Sequence, residues 1–290
     1  MTQERYINPY TDFGFKKLFG TELNKDLLMS FLNALFNGQE VVRDVTYLNS
    51  EHFGDSYRNR KAIFDVYCEN EQGEKFIVEM QKAEQDYFKD RSIFYATFPI
   101  REQAPRGDWD FQLKAVYTVG ILNFVFPDDE YSEECFHHEV KLMDTQDKHV
   151  FYDKLTFVYL EMPKFNKTES ELVTMFDKWL FVLRNLSRLM ERPAALQERI
   201  FTKVFEQAEI ARFTPKELQD YEESIKVYRD LTNVVRTAER KGRAEGRAEG
   251  RAEGEQSKAI AVARNLKAMG MNDADIAKAT GLTPDEIEGL

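Results

Sequence analysis

Two acidic residues, Asp65 and Glu79, interrupt apolar segments that are otherwise typical of buried strands. Asp65 lies within AIFDVYC, and Glu79 lies within FIVEMQ. Strands of this composition are usually covered on both faces, where an isolated ionised carboxylate is strongly unfavourable. A divalent cation between the two carboxylates would remove that penalty. The pair therefore indicates metal chemistry, provided that the fold brings the two side chains together.

The segment NEQGE, which begins at Asn70, separates the two strands and decides where the carboxylates point. A three-residue loop with Gly73 in the left-handed conformation pairs Asn70 with Glu74. Counting outward from that pair places Asp65 opposite Glu79, on one face, with Cβ atoms about 5 Å apart. A two-residue loop would shift the register by one residue and separate them. We predict the three-residue loop because it uses glycine where glycine is needed.

Gln81 lies on the same predicted face, two residues beyond Glu79. The set then comprises two carboxylates that could share Mg²⁺ or Mn²⁺ and an amide that could hold a water or a phosphate oxygen. Hard oxygen ligands suit a hard cation, and such a cation suits phosphodiester hydrolysis. Lys82 faces away in a regular strand and is a weaker candidate for a cationic role.

The histidines do not suggest a competing site. His137 and His138 are adjacent, so a strand would send them to opposite faces, and His52 and His149 stand alone in polar segments. We expect them to be exposed or to have ordinary structural partners.

The surrounding pattern indicates an α/β fold. Residues 11–36 have apolar residues at helical spacing with a break near Gly20, and residues 81–103 return to helical spacing after the hairpin. Further strands are predicted at 41–49, 113–126, 136–144 and 155–162. We predict a central mixed sheet flanked by helices, followed by an all-helical C-terminal extension.

Four regions follow from these changes of pattern. They are a core at 1–168, a helical extension at 169–240, a Gly-Arg-Ala-Glu repeat at 241–254 and a small helix-turn-helix-like module at 255–290. The module has four basic and six acidic residues. Because its last helix has Asp285, Glu286 and Glu288 where a DNA reader needs polar or basic groups, protein contact is favoured over DNA contact.

The repeat GRAEGRAEGRAEG leaves two interpretations open. In a helix, a period of four would align like charges at i,i+4, and each glycine would cost roughly 1 kcal/mol relative to alanine. A flexible charged spacer is therefore one interpretation. The other is an assembly helix. In such a helix the glycines of the repeat form one row along the surface (the Gly row), and the arginines and glutamates form two further rows (the Arg row and the Glu row). The Gly row then admits a partner backbone, and the Arg row of one chain meets the Glu row of another. Residues 241–290 are thus a candidate surface for a homo-oligomer or a protein partner.

Composition narrows the classes of function. A formal net charge of −11 argues against tight nonspecific binding of nucleic acid, but it permits a nuclease that reaches phosphate through cations and a local basic patch. Candidates for such a patch are Arg58, Arg60, Lys61, Lys89, Arg91, Arg101 and Arg106. The N-terminal residues contain no signal-like apolar segment, no run of about 18 apolar residues occurs, and only Cys68 and Cys135 are present. We expect a cytoplasmic protein that does not enter a membrane.

One pattern in the chain resembles the motif of the PD-(D/E)XK nuclease superfamily, in the branch where glutamine replaces the lysine. The pattern is Asp65, followed after thirteen residues by Glu79-Met80-Gln81. This resemblance implies a restriction-endonuclease-like core and Mg²⁺-dependent cleavage of DNA. It also implies that Asp65 and Glu79 are metal ligands and that Gln81 takes the place of the lysine. A glutamine supplies no positive charge to the transition state, which puts the efficiency of catalysis in question.

Flanking segments make the resemblance more specific. TDFGFKKLFG at 11–20, the helix from Arg91 to Tyr95 and YLEMPKF at 159–165 are similar to the recombination-promoting nuclease and transposase family, over roughly residues 8–240. By analogy with other members of the superfamily, Asp12 near the start of the first helix is a possible accessory acidic ligand. The alternative for Asp12 is that it caps the helix.

Tyr87, Arg91 and Tyr95 follow the hairpin at helical spacing. On one face of a helix they could bind a phosphate and flank it with aromatic rings. Alternatively, the tyrosines pack on the sheet and Arg91 pairs with a carboxylate.

Three hypotheses follow for the function. The first is a metal-dependent DNA endonuclease acting in recombination, element mobility or defence. The second is a catalytically weakened nuclease fold that binds DNA or protein as a regulator. In the third, Asp65 and Glu79 are ordinary charges at strand edges.

Overall fold

The computed structural model describes residues 4–37, 42–49, 51–52, 62–104, 107, 110–127 and 134–290. The helices are α1 (Asp12–Phe19), α2 (Lys25–Phe36), α3 (Phe88–Glu102), α4 (Met175–Asn185), α5 (Arg199–Ala208), α6 (Pro215–Ala268), α7 (Asp273–Thr280) and α8 (Pro284–Glu288). The strands are β1 (Val45–Tyr47), β2 (Glu51–His52), β3 (Ala62–Ile63), β4 (Val66–Asn70), β5 (Lys75–Gln81), β6 (Val116–Leu122), β7 (His137–Met143) and β8 (Val150–Glu161). The chain divides into two compact units, one up to Asp230 and one from Leu231 onward.

Six strands of the first unit form a mixed sheet in the order β1-β4-β5-β6-β8-β7. Strands β5, β6 and β8 are parallel, and β1, β4 and β7 join the sheet antiparallel to their neighbours. The crossover from β5 to β6 contains α3. This arrangement confirms the predicted α/β architecture with a central mixed sheet.

The two faces of the sheet bury different helices. On one face, residues such as Phe76 and Val78 of β5 pack with α1, α2, α4 and α5 in the largest apolar cluster. On the other face, α3 packs Phe88 and Ala96 against Tyr159 of β8 and its neighbours. Ile77 of β5 also points to the α3 side, in a cluster with aromatic residues of α3. Because side chains alternate along a strand, Glu79 and Gln81 share the side of Ile77.

Helix α3 begins at Phe88, later than the predicted start at 81. Gln81 still belongs to β5, and Tyr87 has a φ of 61°, which lies outside the helical region. The first predicted strand is also shorter than expected, since only Val45–Tyr47 are paired. Both errors concern where an element begins, because the predicted elements themselves are present.

Helix α1 depends on the glycine of the segment TDFGFKKLFG. Thr11 is the N-cap, and its hydroxyl accepts a hydrogen bond from the Gly14 N–H at 3.0 Å. A Cβ atom on Gly14 would lie 2.2 Å from the carbonyl oxygen of Asn8. Only glycine therefore allows the preceding segment to pack this closely on the first turn of α1.

The repeat is helical, because α6 continues through residues 241–254. A flexible spacer would have no such helix, so that interpretation does not describe the structure. Helix on both sides removes the nucleation cost for the repeat, and nine of the thirteen residues at 242–254 are Arg, Ala or Glu, which favour helix. The division of the chain into four regions stays a prediction.

The second unit has a small core of its own. Ala263 near the end of α6 packs with Ile276 of α7 and Ile287 of α8. Gly281 adopts a φ of 75° between the two short helices, and Thr283 forms a capping box at the start of α8. The predicted helix, turn and helix are all present.

The sequence predicts no segment that enters a membrane. Among the helices of the described residues, none has both the length and the apolar character needed to span a bilayer.

Candidate metal and nuclease site

The hairpin between β4 and β5 has the predicted three-residue loop. The N–H of Asn70 donates to the carbonyl oxygen of Glu74 at 3.0 Å, and Gly73 has a φ of 78°. The side chain of Asn70 also accepts hydrogen bonds from the N–H groups of Gln72 and Glu74. Turn chemistry therefore fixes the register of both strands.

This register sets the two carboxylates opposite each other. The ladder stops at Val66, the first residue of β4, which lies opposite Val78. Continuing the same register by one residue places Asp65, in the bend before β4, opposite Glu79. The predicted register is confirmed. Glu79 belongs to the side of the sheet that faces α3, where it contacts Arg91.

Asp65 directly precedes β4. Its Oδ2 accepts a hydrogen bond from the N–H of Met80 at 2.9 Å, so the carboxylate binds the backbone of the facing strand. Burial raises the pKa of Asp65, the Met80 N–H opposes that shift, and the charge of Asp12 adds to it. One oxygen of Asp65 is thus anchored, and the other is left for a ligand.

Glu79 is only 8% exposed. Burial and then the neighbouring charge of Asp65 raise the pKa of Glu79 to about 8, against the opposing effect of Arg91. Two carboxylates in such a site do not ionise together easily. A cation bound between them would reverse this by stabilising both ionised forms.

Gln81 lies two residues further along β5 and is also buried. Its amide nitrogen donates to the carbonyl oxygen of Ala83 at 3.2 Å, which holds the side chain at the carboxyl end of the strand. The amide oxygen has the chemistry to accept a hydrogen bond from a water, as the sequence analysis expects.

Arg91, in the first turn of α3, contacts Glu79. Its Nη2 lies 3.4 Å from Oε2 of Glu79, Nη1 donates to Gln85, and the guanidinium lies 5.0 Å from the ring centre of Tyr95. Arg91 therefore pairs with a carboxylate, as the second interpretation of this helix predicts, whereas its part in binding a phosphate stays a prediction. Tyr87 precedes the helix and is 80% exposed, so the predicted stripe of three residues on one helical face is wrong.

Asp12 is not the cap of α1, since Thr11 fills that position. It is half exposed and forms an ion pair with Lys16 at 3.0 Å. Its charge contributes to the raised pKa of Asp65, so Asp12 lies within electrostatic reach of the site. The accessory-ligand role stays a prediction.

The predicted basic patch is only partly described. Lys89 lies over the ring of Phe126, 4.8 Å from its centre. Arg91 is engaged with Glu79, as above, and Arg101 lies in the last turn of α3. The remaining candidates, Arg58, Arg60, Lys61 and Arg106, lie outside the described residues.

The sequence analysis missed a second buried acid, Glu161 at the end of β8. Its Oε1 accepts from the N–H of Phe126 at 2.6 Å, and its Oε2 lies 3.1 Å from Nε2 of His138 and 2.7 Å from Nζ of Lys164. As predicted, His137 and His138 point to opposite faces, since the His137 ring contacts Phe176 of α4. The signal that could have revealed Glu161 is the same one that revealed Glu79, an acid in an apolar strand.

The donor set at the hairpin suits Mg²⁺ or Mn²⁺. Carboxylate oxygens are the ligands that these ions prefer, and Mg²⁺ usually keeps several waters beside one or two carboxylates. Within the described ranges, no group of three His, Cys, Asp or Glu side chains is placed to hold a metal. Asp65 and Glu79 would therefore be the protein ligands, with water and phosphate oxygens completing the shell.

A family model described as "PD-(D/E)XK nuclease family transposase" matches residues 9–238 of this chain. The chain belongs to this family. No curated protein and no solved structure matches it significantly.

Membership in the PD-(D/E)XK nuclease family transposases confirms the resemblance seen in the sequence. It implies a nuclease or transposase-like function with DNA as the substrate, and such nucleases generally use divalent metal ions. The matched range contains the whole sheet and ends before the repeat at 241–254. That Gln81 takes the place of the lysine in the family's motif stays a prediction.

Proposed function

We propose that this chain is a DNA endonuclease that hydrolyses phosphodiester bonds with Mg²⁺ or Mn²⁺ held by Asp65 and Glu79. The observation that carries the proposal is the pair of opposed carboxylates at the carboxyl end of β5, with a pKa of about 8 for Glu79. Perturbed acids of this kind are typical of functional sites. Membership in the nuclease family makes phosphodiester hydrolysis the corresponding chemistry.

Each side chain has a distinct task in this mechanism. The bound ion would polarise the scissile phosphate and lower the pKa of the attacking water. Asp65, anchored on Met80, fixes the position of its free oxygen, and Glu79 supplies the second ligand from the facing strand. Gln81 orients a water or a phosphate oxygen near the end of β5.

Arg91 is our candidate for the positive charge that Gln81 lacks. The guanidinium lies beside Glu79 and stacks on Tyr95, which restricts its motion. A guanidinium bound in this way can donate hydrogen bonds to phosphate oxygens as charge develops in the transition state.

Nicking of supercoiled plasmid tests this proposal. The Asp65→Ala variant should lose at least about 1,000-fold of the Mg²⁺-dependent rate, because one metal ligand is removed. The matched control is Asp220→Ala, which removes an exposed aspartate of α6 and should leave the rate unchanged. Equal cleavage by the Asp65→Ala variant and the parent, with both shown to be folded by circular dichroism, would refute the proposal.

A weakened nuclease that acts as a DNA- or protein-binding regulator is the alternative, and Gln81 is the observation that favours it. Titration with Mg²⁺ and Mn²⁺ separates the two functions. Heat of binding or a rise in the melting temperature supports the endonuclease, whereas neither effect at millimolar metal supports the regulator.

We place the activity in recombination, element mobility or defence, in the cytoplasm. The family description as a transposase supports the first part. The free thiols Cys68 and Cys135 agree with a reducing compartment.

For the second unit we propose assembly with another copy of this chain through α6. Each Glu of the repeat follows an Arg by two residues, which is a rotation of about 200° around the helix axis. The Arg row and the Glu row therefore lie on opposite sides of the helix, with the Gly row between them. Val234 and Ala238 continue the Gly row, and Val234 is 67% exposed. A Cβ on Gly242, Gly246 or Gly250 would meet no described atom within 4 Å.

Charge then selects the orientation. In a two-fold parallel pair packed on the Gly row, the Arg row of each chain lies beside the Glu row of the other on both sides. An antiparallel pair would place like charges together. We therefore favour the parallel pair.

Sedimentation velocity of the full chain tests this arrangement. A variant with Arg243, Arg247 and Arg251 all changed to Glu should associate less than the parent, and so should one with Glu245, Glu249 and Glu253 all changed to Arg. An equimolar mixture of the two should associate again. A parent that is monomeric at about 100 μM, or variants that associate as the parent does, would contradict the assembly.

A further inference from the structure

A cavity of about 340 Å³ lies where β6 and β8 end, beside the last turn of α4. Asn123, which follows β6, and Met162 and Pro163, which follow β8, form part of its wall. Most of the accessible wall is polar, and the space is far larger than one water needs. Sheets with parallel strands usually bind ligands at the carboxyl ends of those strands, which is where this cavity lies.

The cavity adjoins the candidate metal site through Asn123. The N–H of Asn123 donates to the carbonyl oxygen of Gln81 at 2.9 Å, and its side-chain amide donates to the carbonyl oxygen of Lys82 at 3.3 Å. Gln81 lies two residues beyond Glu79 on β5. The cavity and the pair of carboxylates therefore share one edge of the sheet.

Two arginines line the cavity without an acid bound to either. Nη1 of Arg184 donates to the carbonyl oxygens of Met162 and Pro163, at 2.8 and 3.3 Å. Within the described part of the chain, neither Arg184 nor Arg188 forms an ion pair. Burial lowers the pKa of Arg184, and the charge of Arg188 adds to that shift. Two neighbouring positive charges of this kind favour the binding of an anion.

Tyr10 adds a buried hydroxyl to the same wall. Tyr10 is only 6% exposed, and its hydroxyl forms no hydrogen bond with the described residues. Burial raises the pKa of Tyr10, and the charges of Arg184 and Arg188 oppose that rise, so both guanidinium groups lie within electrostatic reach of the hydroxyl. Buried hydroxyls are nearly always hydrogen-bonded, which indicates that a ligand supplies the missing acceptor.

The donors in the wall suit an anion with several oxygen atoms. Guanidinium N–H groups can only donate, and the tyrosine hydroxyl can donate as well. Glu4 also lines the cavity, but its carboxylate accepts from the Tyr221 hydroxyl at 3.3 Å and lies 3.6 Å from Arg229. Arginine binds phosphate oxygens through two parallel hydrogen bonds, and phosphate is the anionic group of DNA.

We propose that this cavity binds a phosphate group between Arg184, Arg188 and the hydroxyl of Tyr10. Because the cavity adjoins the metal site, we assign the group to the DNA strand, close to the scissile phosphate. A free phosphate ion is the other source of the same chemistry. A strand phosphate bound here would fix the register of the DNA on the metal site. This placement rests on the proposed function, whereas the phosphate site itself does not.

Anisotropy of a fluorescent DNA duplex, measured with the full chain in EDTA, tests the site without cleavage. Arg188→Gln and Tyr10→Phe should each weaken binding by about 10-fold, because each removes a hydrogen bond to a charged group. Arg188→Gln should also reduce the slope of log K against log salt by about 1. Arg199→Gln is the matched control, since it removes the same charge from an exposed arginine of α5 and should bind DNA as the parent does.

A purely structural role would leave DNA binding unchanged in the folded variants. Tyr10→Phe keeps the ring and removes a hydroxyl that has no described protein partner, so we expect this variant to fold as the parent does. Circular dichroism verifies the fold of each variant.

Calorimetry with inorganic phosphate separates the two sources. Weaker duplex binding in Arg188→Gln and Tyr10→Phe, but not in Arg199→Gln, assigns the site to the DNA strand. Equal duplex binding in all variants, together with weaker phosphate binding in Arg188→Gln and Tyr10→Phe, assigns it to the free ion. If neither variant changes the binding of either ligand, the inference is overturned. Both measurements are independent of cleavage, so they decide the phosphate site even if Asp65→Ala refutes the proposed function.

Discussion

Glu79 and Glu161 are both buried glutamates near the carboxyl ends of parallel strands of one sheet, yet their surroundings differ. Glu161 accepts a backbone hydrogen bond and contacts His138 and Lys164 at 3.1 Å or less. Glu79 also accepts a backbone hydrogen bond, from Asp65, but it faces a second carboxylate, contacts Arg91 only at 3.4 Å and keeps one oxygen without a described partner. Burial therefore does not separate Glu161, a structural acid, from Glu79, a candidate functional acid. The two differ in how fully the carboxylate oxygens are paired with donors and cations.

The largest expected effect is on catalysis. Glu79→Gln should lower Mg²⁺-dependent plasmid nicking by about 1,000-fold or more, because it removes a metal ligand. Glu161→Gln should keep most of the rate per folded molecule. Similar losses in both variants, with folding verified by circular dichroism, would mean that the two acids do not differ in role.

The loss of unfolding free energy should be larger in Glu161→Gln than in Glu79→Gln, the opposite of the order for catalysis. Glu161→Gln leaves Lys164 buried without its carboxylate, and breaking a buried pair costs about 3 kcal/mol of unfolding free energy. Glu79→Gln removes an acid whose raised pKa makes its ionisation unfavourable in the folded protein, so this variant should be at least as stable as the parent at pH 7 without metal. Urea denaturation in EDTA measures both values. A larger loss for Glu79→Gln than for Glu161→Gln would reverse the comparison.

The last expected effect is the pH dependence of stability. The pKa of Glu79 in the folded protein is about 8, above the ordinary value of 4.5 for glutamate, so between these pH values the folded protein binds a proton that the unfolded chain releases. Its stabilising contribution is complete below about pH 4.5 and is lost as the pH rises to about 8, by at most about 1.4 kcal/mol per pH unit. Urea denaturation in EDTA across this range should show the slope in the parent and a weaker slope in Glu79→Gln. Mg²⁺ should offset the loss, and equal slopes in both proteins would contradict the shifted pKa.

Local chemistry explains what the sequence could predict. Gly73 specified the turn, the turn specified the register, and the register placed Asp65 opposite Glu79. The period of the apolar residues likewise predicted the helices and the order of the strands. Each of these inferences needs only residues close together in the chain, where turn and strand geometry leave few choices.

Contacts between elements that are distant in the chain could not be predicted from the sequence. The pairing of Arg91 with Glu79 depends on where α3 begins, and the left-handed Tyr87 shifts that start away from the predicted residue. Thr118 and Glu79 line the same small cavity, yet they lie on separate strands and nothing near either residue in the chain predicts this. The helical repeat depends on its neighbours, since propensity within the repeat alone suggested a weak helix.

The hydrogen bond from Met80 to Asp65 makes the backbone itself a probe of the site. The Met80 amide proton is hydrogen-bonded to the carboxylate oxygen of Asp65. The NMR chemical shift of this proton should therefore follow the ionisation of Asp65. A cation bound by Asp65 would draw electron density from that oxygen and alter the same resonance. One backbone signal in a titration could therefore record proton release and metal capture without a label, a substrate or a mutation.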